Sequence, residues 1–115
     1  MTNKDEEVER MKMVKAIIRR EKENDVMFAL EAAGFAAATK IPVHGRGKQK
    51  GLVAEGMVYD ELPKLLIMIV VRDEDVDKVC DIIMEKARTG KPGDGKIFIA
   101  PVDTVYTVSS GKKEL

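Results

Sequence analysis

Leu65-Leu66-Ile67-Met68-Ile69-Val70-Val71 is the longest uninterrupted apolar run in the chain. It is rich in β-branched residues and far too short to cross a bilayer as a helix. It predicts a central strand buried on both faces. Asp73 follows at a position suited to capping a helix. Val76, Val79, Cys80, Ile83 and Ala87 then recur at helical spacing, and Gly90 is placed to end that helix.

The same strand-then-helix order occurs once upstream. From Met13, the apolar residues Val14, Ala16 and Ile18 alternate with Lys15 and Arg19, as in a strand with one buried face. From Glu21 the period becomes helical, with Val26, Met27, Leu30 and Ala33 on one side and acidic residues in the first turns. Gly34 suits a left-handed helix end. Residues 35–44 predict a second strand, with Thr39, Ile41 and Val43 on one side. Residues 97–102 predict another, residues 104–108 a weaker closing one, and residues 111–115 a polar tail. Strand, helix, strand, strand, helix, strand is the order of an α+β, ferredoxin-like βαββαβ domain with a long loop after the second strand.

The chain has 115 residues, 44% of them hydrophobic and 35% charged, which is enough for one core and too apolar for a disordered segment. Twenty basic and twenty acidic residues balance, and there is no tryptophan, so a general nucleic-acid surface is not supplied. A single cysteine excludes an intramolecular disulfide and a cysteine-based zinc site. The first ten residues are mostly charged where a signal peptide is apolar. They read as an extension (residues 1–10) ahead of one domain (residues 11–115). The expectation is a cytoplasmic protein that neither inserts into membranes nor binds nucleic acid.

Two glycine-rich stretches carry the chemistry. Gly45-Arg46-Gly47-Lys48-Gln49-Lys50-Gly51 leaves the second strand, and Thr89-Gly90-Lys91-Pro92-Gly93-Asp94-Gly95-Lys96 precedes the fourth. Glycine lets backbone N–H groups converge and a nearby cation adds charge, so each can hold a phosphate or carboxylate. The alternative is two solvated turns that need glycine for shape alone. Neither is a Walker motif or a dinucleotide fingerprint. His44 is the only histidine and reads as a strand-end residue, Cys80 as an inert thiol on an apolar stripe. Glu55 has no visible base, nucleophile or metal partner. Met57 and Val58 are apolar residues in a loop, suited to a protein contact or to local packing.

Residues 11–111 resemble the PII signal-transduction family. The resemblance rests on Ala16-Ile17-Ile18-Arg19, Gly45-Arg46-Gly47-Lys48-Gln49-Lys50-Gly51, Leu62-Pro63-Lys64 and Ala87-Arg88-Thr89-Gly90-Lys91-Pro92-Gly93-Asp94-Gly95-Lys96-Ile97-Phe98. It implies a trimer of ferredoxin-like subunits, with ATP or ADP bound in each cleft between them. It implies nucleotide contacts at Thr39, Gly47, Lys48, Gln49 and Val70, and phosphate contacts at Gly93, Asp94, Gly95 and Lys96. Gln49 would also ligate Mg²⁺, which with ATP binds 2-oxoglutarate. That acid would be held by Gln49, Lys50, Gly51 and Lys64.

The loop of residues 45–64 is shorter than in the enteric type and lacks the tyrosine that is uridylylated there. With Tyr59-Asp60-Glu61-Leu62-Pro63-Lys64, it is similar to the nitrogenase-associated branch of archaea and anaerobes. Those proteins work with a second PII-like subunit and inhibit dinitrogenase until 2-oxoglutarate relieves the block. Glu55, Met57, Val58 and Tyr59 would then be partner-binding residues. Thr107 and Ser109 stand where the family places phosphate-binding arginines, which weakens the implied hold on a triphosphate. The rival readings are a regulator of an ammonium transporter or glutamine synthetase, and a small ferredoxin-like enzyme or metal-binding trimer.

Overall fold

The structure is a computed structural model, and it describes residues 10–46, 52–54, 57–59 and 61–115. Strand β1 (Met11–Arg19) begins two residues earlier than its alternation suggests. A single 3-10 turn leads into helix α1 (Glu23–Ala32). The helix closes at Gly34, which has a φ of +95°. The Gly34 N–H bonds the Glu31 carbonyl at 3.0 Å and the Phe35 N–H bonds the Leu30 carbonyl at 2.8 Å, the paired bonds of a Schellman end. Phe35 is thereby folded onto the core instead of starting a strand. Strand β2 (Thr39–Gly45) begins only after the alanine run 36–38, whose residues have little preference for a strand.

Two three-residue strands, β3 (Leu52–Ala54) and β4 (Met57–Tyr59), pair antiparallel within what the sequence reads as loop. The long strand β5 (Leu62–Arg72) follows, then a 3-10 turn and helix α2 (Val76–Ala87). Asp73 does not cap α2. Its carboxylate accepts from Lys12 Nζ at 2.8 Å and its N–H bonds the Arg10 carbonyl at 3.0 Å, so it fastens β5 to β1. Nor does Gly90 end α2: the chain turns extended at Arg88, two residues earlier. Strand β6 (Lys96–Val102) completes the set.

The main sheet has the order β2-β5-β1-β6 with every neighbour antiparallel, which is the ferredoxin-like arrangement expected. Residues 104–108 add no strand to it. They fold back in a terminal hairpin closed by a bridge between Tyr106 and Lys113.

Both helices pack on one face of the sheet. Val14, Ala16, Ile18, Leu65, Ile67, Ile69 and Val71 bury there against Val26, Leu30, Val79, Ile83 and Ala87. The central strand is therefore buried fully on one face only, which corrects the two-sided reading. On the other face Met13, Ile17, Leu66, Met68 and Val70 are half-buried, while Ile41 is 41% and Phe98 50% exposed. No helix among the described residues is long and apolar enough to cross a membrane. Residues 1–9, the body of the expected extension, lie outside the described residues.

Candidate functional site

The register of the sheet brings three cations to one corner of its open face. Arg19 ends β1 directly opposite Lys64 near the start of β5. Lys96 opens β6 opposite Ile17, two residues back along β1 on the same face. The segment 88–95 joins α2 to β6 and folds over this corner.

Asp94 gives that segment its shape. Its carboxylate accepts from the Thr89 N–H and the Gly90 N–H, each at 2.9 Å, and from the Thr89 hydroxyl at 2.5 Å. Arg19 Nε donates to the same carboxylate at 3.0 Å. These donors, the Thr89 hydroxyl foremost, hold the Asp94 carboxyl well below the usual carboxylate range. The amides of Thr89 and Gly90, which follow α2, are thus met by a side chain.

Two further bonds pull the loop down onto the strands. Arg19 Nη2 donates to the Pro92 carbonyl at 2.8 Å. Lys64 Nζ donates to the Gly93 carbonyl, and Lys64 is 7% exposed beneath it. Burial, with Arg19 beside it, lowers the Lys64 amine from its ordinary value. A lysine in that position gains from any anion that approaches it. A Cβ placed on Gly93 would lie 3.2 Å from Arg19 Nη2 and 3.6 Å from Lys64 Nζ, so the space at Gly93 is bordered by two cations. Gly95 has a φ of +105° and lies against the Ile17 carbonyl, where no side chain fits.

Of the residues implied as ligand contacts, the fold gathers Gly93, Asp94, Gly95, Lys96 and Lys64 at this corner. The Asp94 side chain is occupied in shaping the loop. Thr39 and Val70 lie elsewhere on the open face: Thr39 pairs with Met68, four residues along β5 from Lys64, and Val70 lies two beyond. At the rise of a strand, these are roughly 13 Å and 20 Å from Lys64. Gly47, Lys48, Gln49, Lys50, Gly51 and Glu55 lie outside the described residues, and so does the expected Mg²⁺ ligand with them. Met57, Val58 and Tyr59 form the backbone of β4. Arg19 and Thr89 are central to the site and escaped sequence reading as site residues. Among the described residues, no cluster of three histidine, cysteine or acidic groups is placed to hold a metal ion.

A separate groove of about 420 Å³ runs between α2 and β6 on the helix side. Ile83, Met84, Ile97 and Ile99 line it, and Asp94, Gly95 and Lys96 reach its end. Half-buried Cys80 also borders it, and burial pushes the Cys80 thiol up, with Asp77 and Asp81 adding to the effect.

Comparison with known proteins shows the family. The model of the family "Nitrogen regulatory protein P-II" matches residues 11–112. The chain is 53% identical over 105 residues to "Nitrogen fixation nifHD region GlnB-like protein 1" of Methanothermobacter marburgensis, covering 91% of this chain and all of that one. It is equally similar to "Nitrogen fixation nifHD2 region GlnB-like protein 1" of Methanosarcina barkeri. It is 50% identical over 106 residues to "Nitrogen regulatory protein P-II 2" of Methanothermobacter thermautotrophicus, covering 89% of this chain and 92% of that one.

Proposed function

The chain belongs to the nitrogen regulatory protein P-II family, within its nitrogenase-associated branch, and on that footing we propose that it is a sensor that binds ATP or ADP and 2-oxoglutarate and regulates nitrogenase by direct contact. The observation that carries the reading is the cationic corner: a clasped glycine loop above Lys64, with Arg19 and Lys96 beside it. Phosphates fit the loop, whose backbone and cations answer negative charge. A carboxylate fits Lys64, whose charge is disfavoured until an anion arrives.

The rest of the reading follows from the family. The open face of the sheet leaves Ile41 and Phe98 exposed among half-buried apolar residues, and a trimer covers such a face. Thr39 and Val70, at a distance from the glycine loop, then belong with the adenosine part of the nucleotide. Mg²⁺ would be held by Gln49 with oxygens of ATP and of the acid. The hairpin β3–β4 is the contact element for dinitrogenase. No covalent step is required of the chain. An ammonium transporter or glutamine synthetase is the alternative target.

The test has two stages. Calorimetry should show ADP or ATP binding, with Lys96→Ala weaker by about 1.5–3 kcal/mol, the scale of a charge-assisted hydrogen bond. 2-Oxoglutarate should bind only with Mg²⁺ and ATP present. The chain should then inhibit dinitrogenase in a reduction assay, and 2-oxoglutarate should relieve the inhibition. A chain that lacks residues 52–58 should keep its nucleotide affinity and lose the inhibition. Inhibition that persists without those residues would remove the hairpin as the output surface.

A further inference from the structure

We infer that Arg19 is a positioning residue for phosphate binding: it turns two successive backbone N–H groups of the glycine loop toward the ligand without touching the ligand itself. The inference rests on the nucleotide reading above and adds the device that prepares the loop.

The argument begins with the peptide unit. It is planar and trans throughout the described chain, so each C=O points opposite to the N–H that shares its plane. Arg19 Nη2 draws the Pro92 carbonyl down toward β1. The Gly93 N–H, in the same peptide plane, therefore points away from the strands. Lys64 Nζ draws the Gly93 carbonyl down toward β5. The Asp94 N–H then points away as well. Two consecutive N–H groups facing outward, with the left-handed Gly93 between them (φ +100°), make the concave arrangement that receives an anion.

Among the described residues, Arg19 alone ties both sides of this arrangement. Its Nε holds the Asp94 carboxylate and its Nη2 holds the Pro92 carbonyl, one on each side of Gly93. The planar fork spans the turn in one rigid piece, a geometry that lysine cannot copy because its single ammonium is a point donor. The Asp94 carboxylate in turn gathers the amides of Thr89 and Gly90, so the grip passes from β1 through the whole loop. Nε and Nη2 are occupied by these protein oxygens, and the guanidinium charge is answered by Asp94 at 3.0 Å and by Glu21, whose carboxylate lies 3.9 Å from Nη1. Its effect on a ligand is exerted through the loop.

The test is a double-mutant cycle on ADP affinity, measured by calorimetry on the full-length chain, with adenosine as the phosphate-free control. Arg19→Gln should weaken ADP about ten- to a hundredfold, the range of a lost charge-assisted contact. It should leave adenosine unchanged and the melting temperature within a few degrees. Asp94→Asn should weaken ADP similarly. Arg19→Gln in the Asp94→Asn background should add little, because both act on one loop. Arg19→Lys should fall between the unaltered chain and Arg19→Gln. Fully additive losses would mean that Arg19 meets the phosphates directly, and would overturn the inference. Unchanged ADP affinity in Arg19→Gln would overturn it too. A parallel loss of adenosine binding would assign Arg19 to general structure instead. If the unaltered chain binds no ADP, the nucleotide reading itself fails, and this inference with it.

Discussion

Replacing Gly95 with alanine tests how closely the glycine loop rides on β1. Gly95 has a φ of +105°, and a Cβ there would lie 1.6 Å from the Ile17 carbonyl oxygen and 2.7 Å from its carbon. The first distance is barely more than half of the 3.0 Å that real Cβ contacts respect. Both atoms are backbone, and Ile17 lies in a strand that is paired on each side, so no rotamer change relieves the overlap. Two costs combine. The left-handed conformation costs an alanine about 1–2 kcal/mol, and forced displacement of a packed strand about 1–3 kcal/mol, for roughly 2–5 kcal/mol together. Gly34 supplies the control: its φ is +95°, but nothing lies within 4 Å of an added Cβ, so Gly34→Ala should show only the first cost. Urea denaturation at one fixed protein concentration reads the difference, because the midpoint of an oligomer depends on concentration. With an m value of ~1.5 kcal/mol per M, Gly95→Ala should lower the midpoint by roughly 1.3–3.3 M and Gly34→Ala by roughly 0.7–1.3 M. ADP affinity should fall with Gly95→Ala and stay unchanged with Gly34→Ala. Equal midpoints for the two variants would refute the reasoning, since they would show that the loop has room to move off the strand.

The remaining predictions concern titration. Folding depresses the Asp94 carboxyl, so its stabilising contribution is complete above the ordinary aspartate range and is lost as pH falls below it. Carboxyl NMR should find Asp94 still ionised at about pH 3, where ordinary aspartates are mostly protonated, and a normal titration would contradict the clasp. The Lys64 amine is lowered from 10.5, and a bound carboxylate would raise it again. The affinity for 2-oxoglutarate, with Mg²⁺ and ATP present, should therefore fall as pH rises through the lowered value. Lys64→Arg should flatten that profile, and an equally steep profile in that variant would exclude Lys64 as its source. The Cys80 thiol is pushed up, so iodoacetamide should alkylate it more slowly than glutathione at about pH 8. A rate at or above that of glutathione would contradict the buried setting.

Much of the fold is legible in the sequence because faces and periods are local properties. The alternation of Val14, Ala16 and Ile18, and the stripe of Val79, Ile83 and Ala87, each reappear as buried positions. The element order then points to one common topology. The misreadings share a cause. Leu65 to Val71 looks buried on both sides because a continuous apolar run carries no alternation to mark the face that no helix covers. Asp73 and Gly90 look like helix caps because those residue types usually are. Here Lys12 claims Asp73, and Asp94 meets the amides that follow α2.

The site divides in the same way. Glycine and lysine at 90–96 mark the candidate anion loop by composition, so that part of the proposed site is visible in one dimension. Arg19 is not, because in its own strand it is simply the polar residue that follows Ile18. Its role depends on three facts that no local pattern contains. Strand β5 lies beside β1, and the register sets Arg19 opposite Lys64. The turn after α2 then crosses above both of them. An arginine at a strand end beside a glycine-rich turn is thus worth weighing as part of the turn once the sheet order is known. Here that order makes Arg19 and Lys64 the two grips that aim the backbone of residues 92–94.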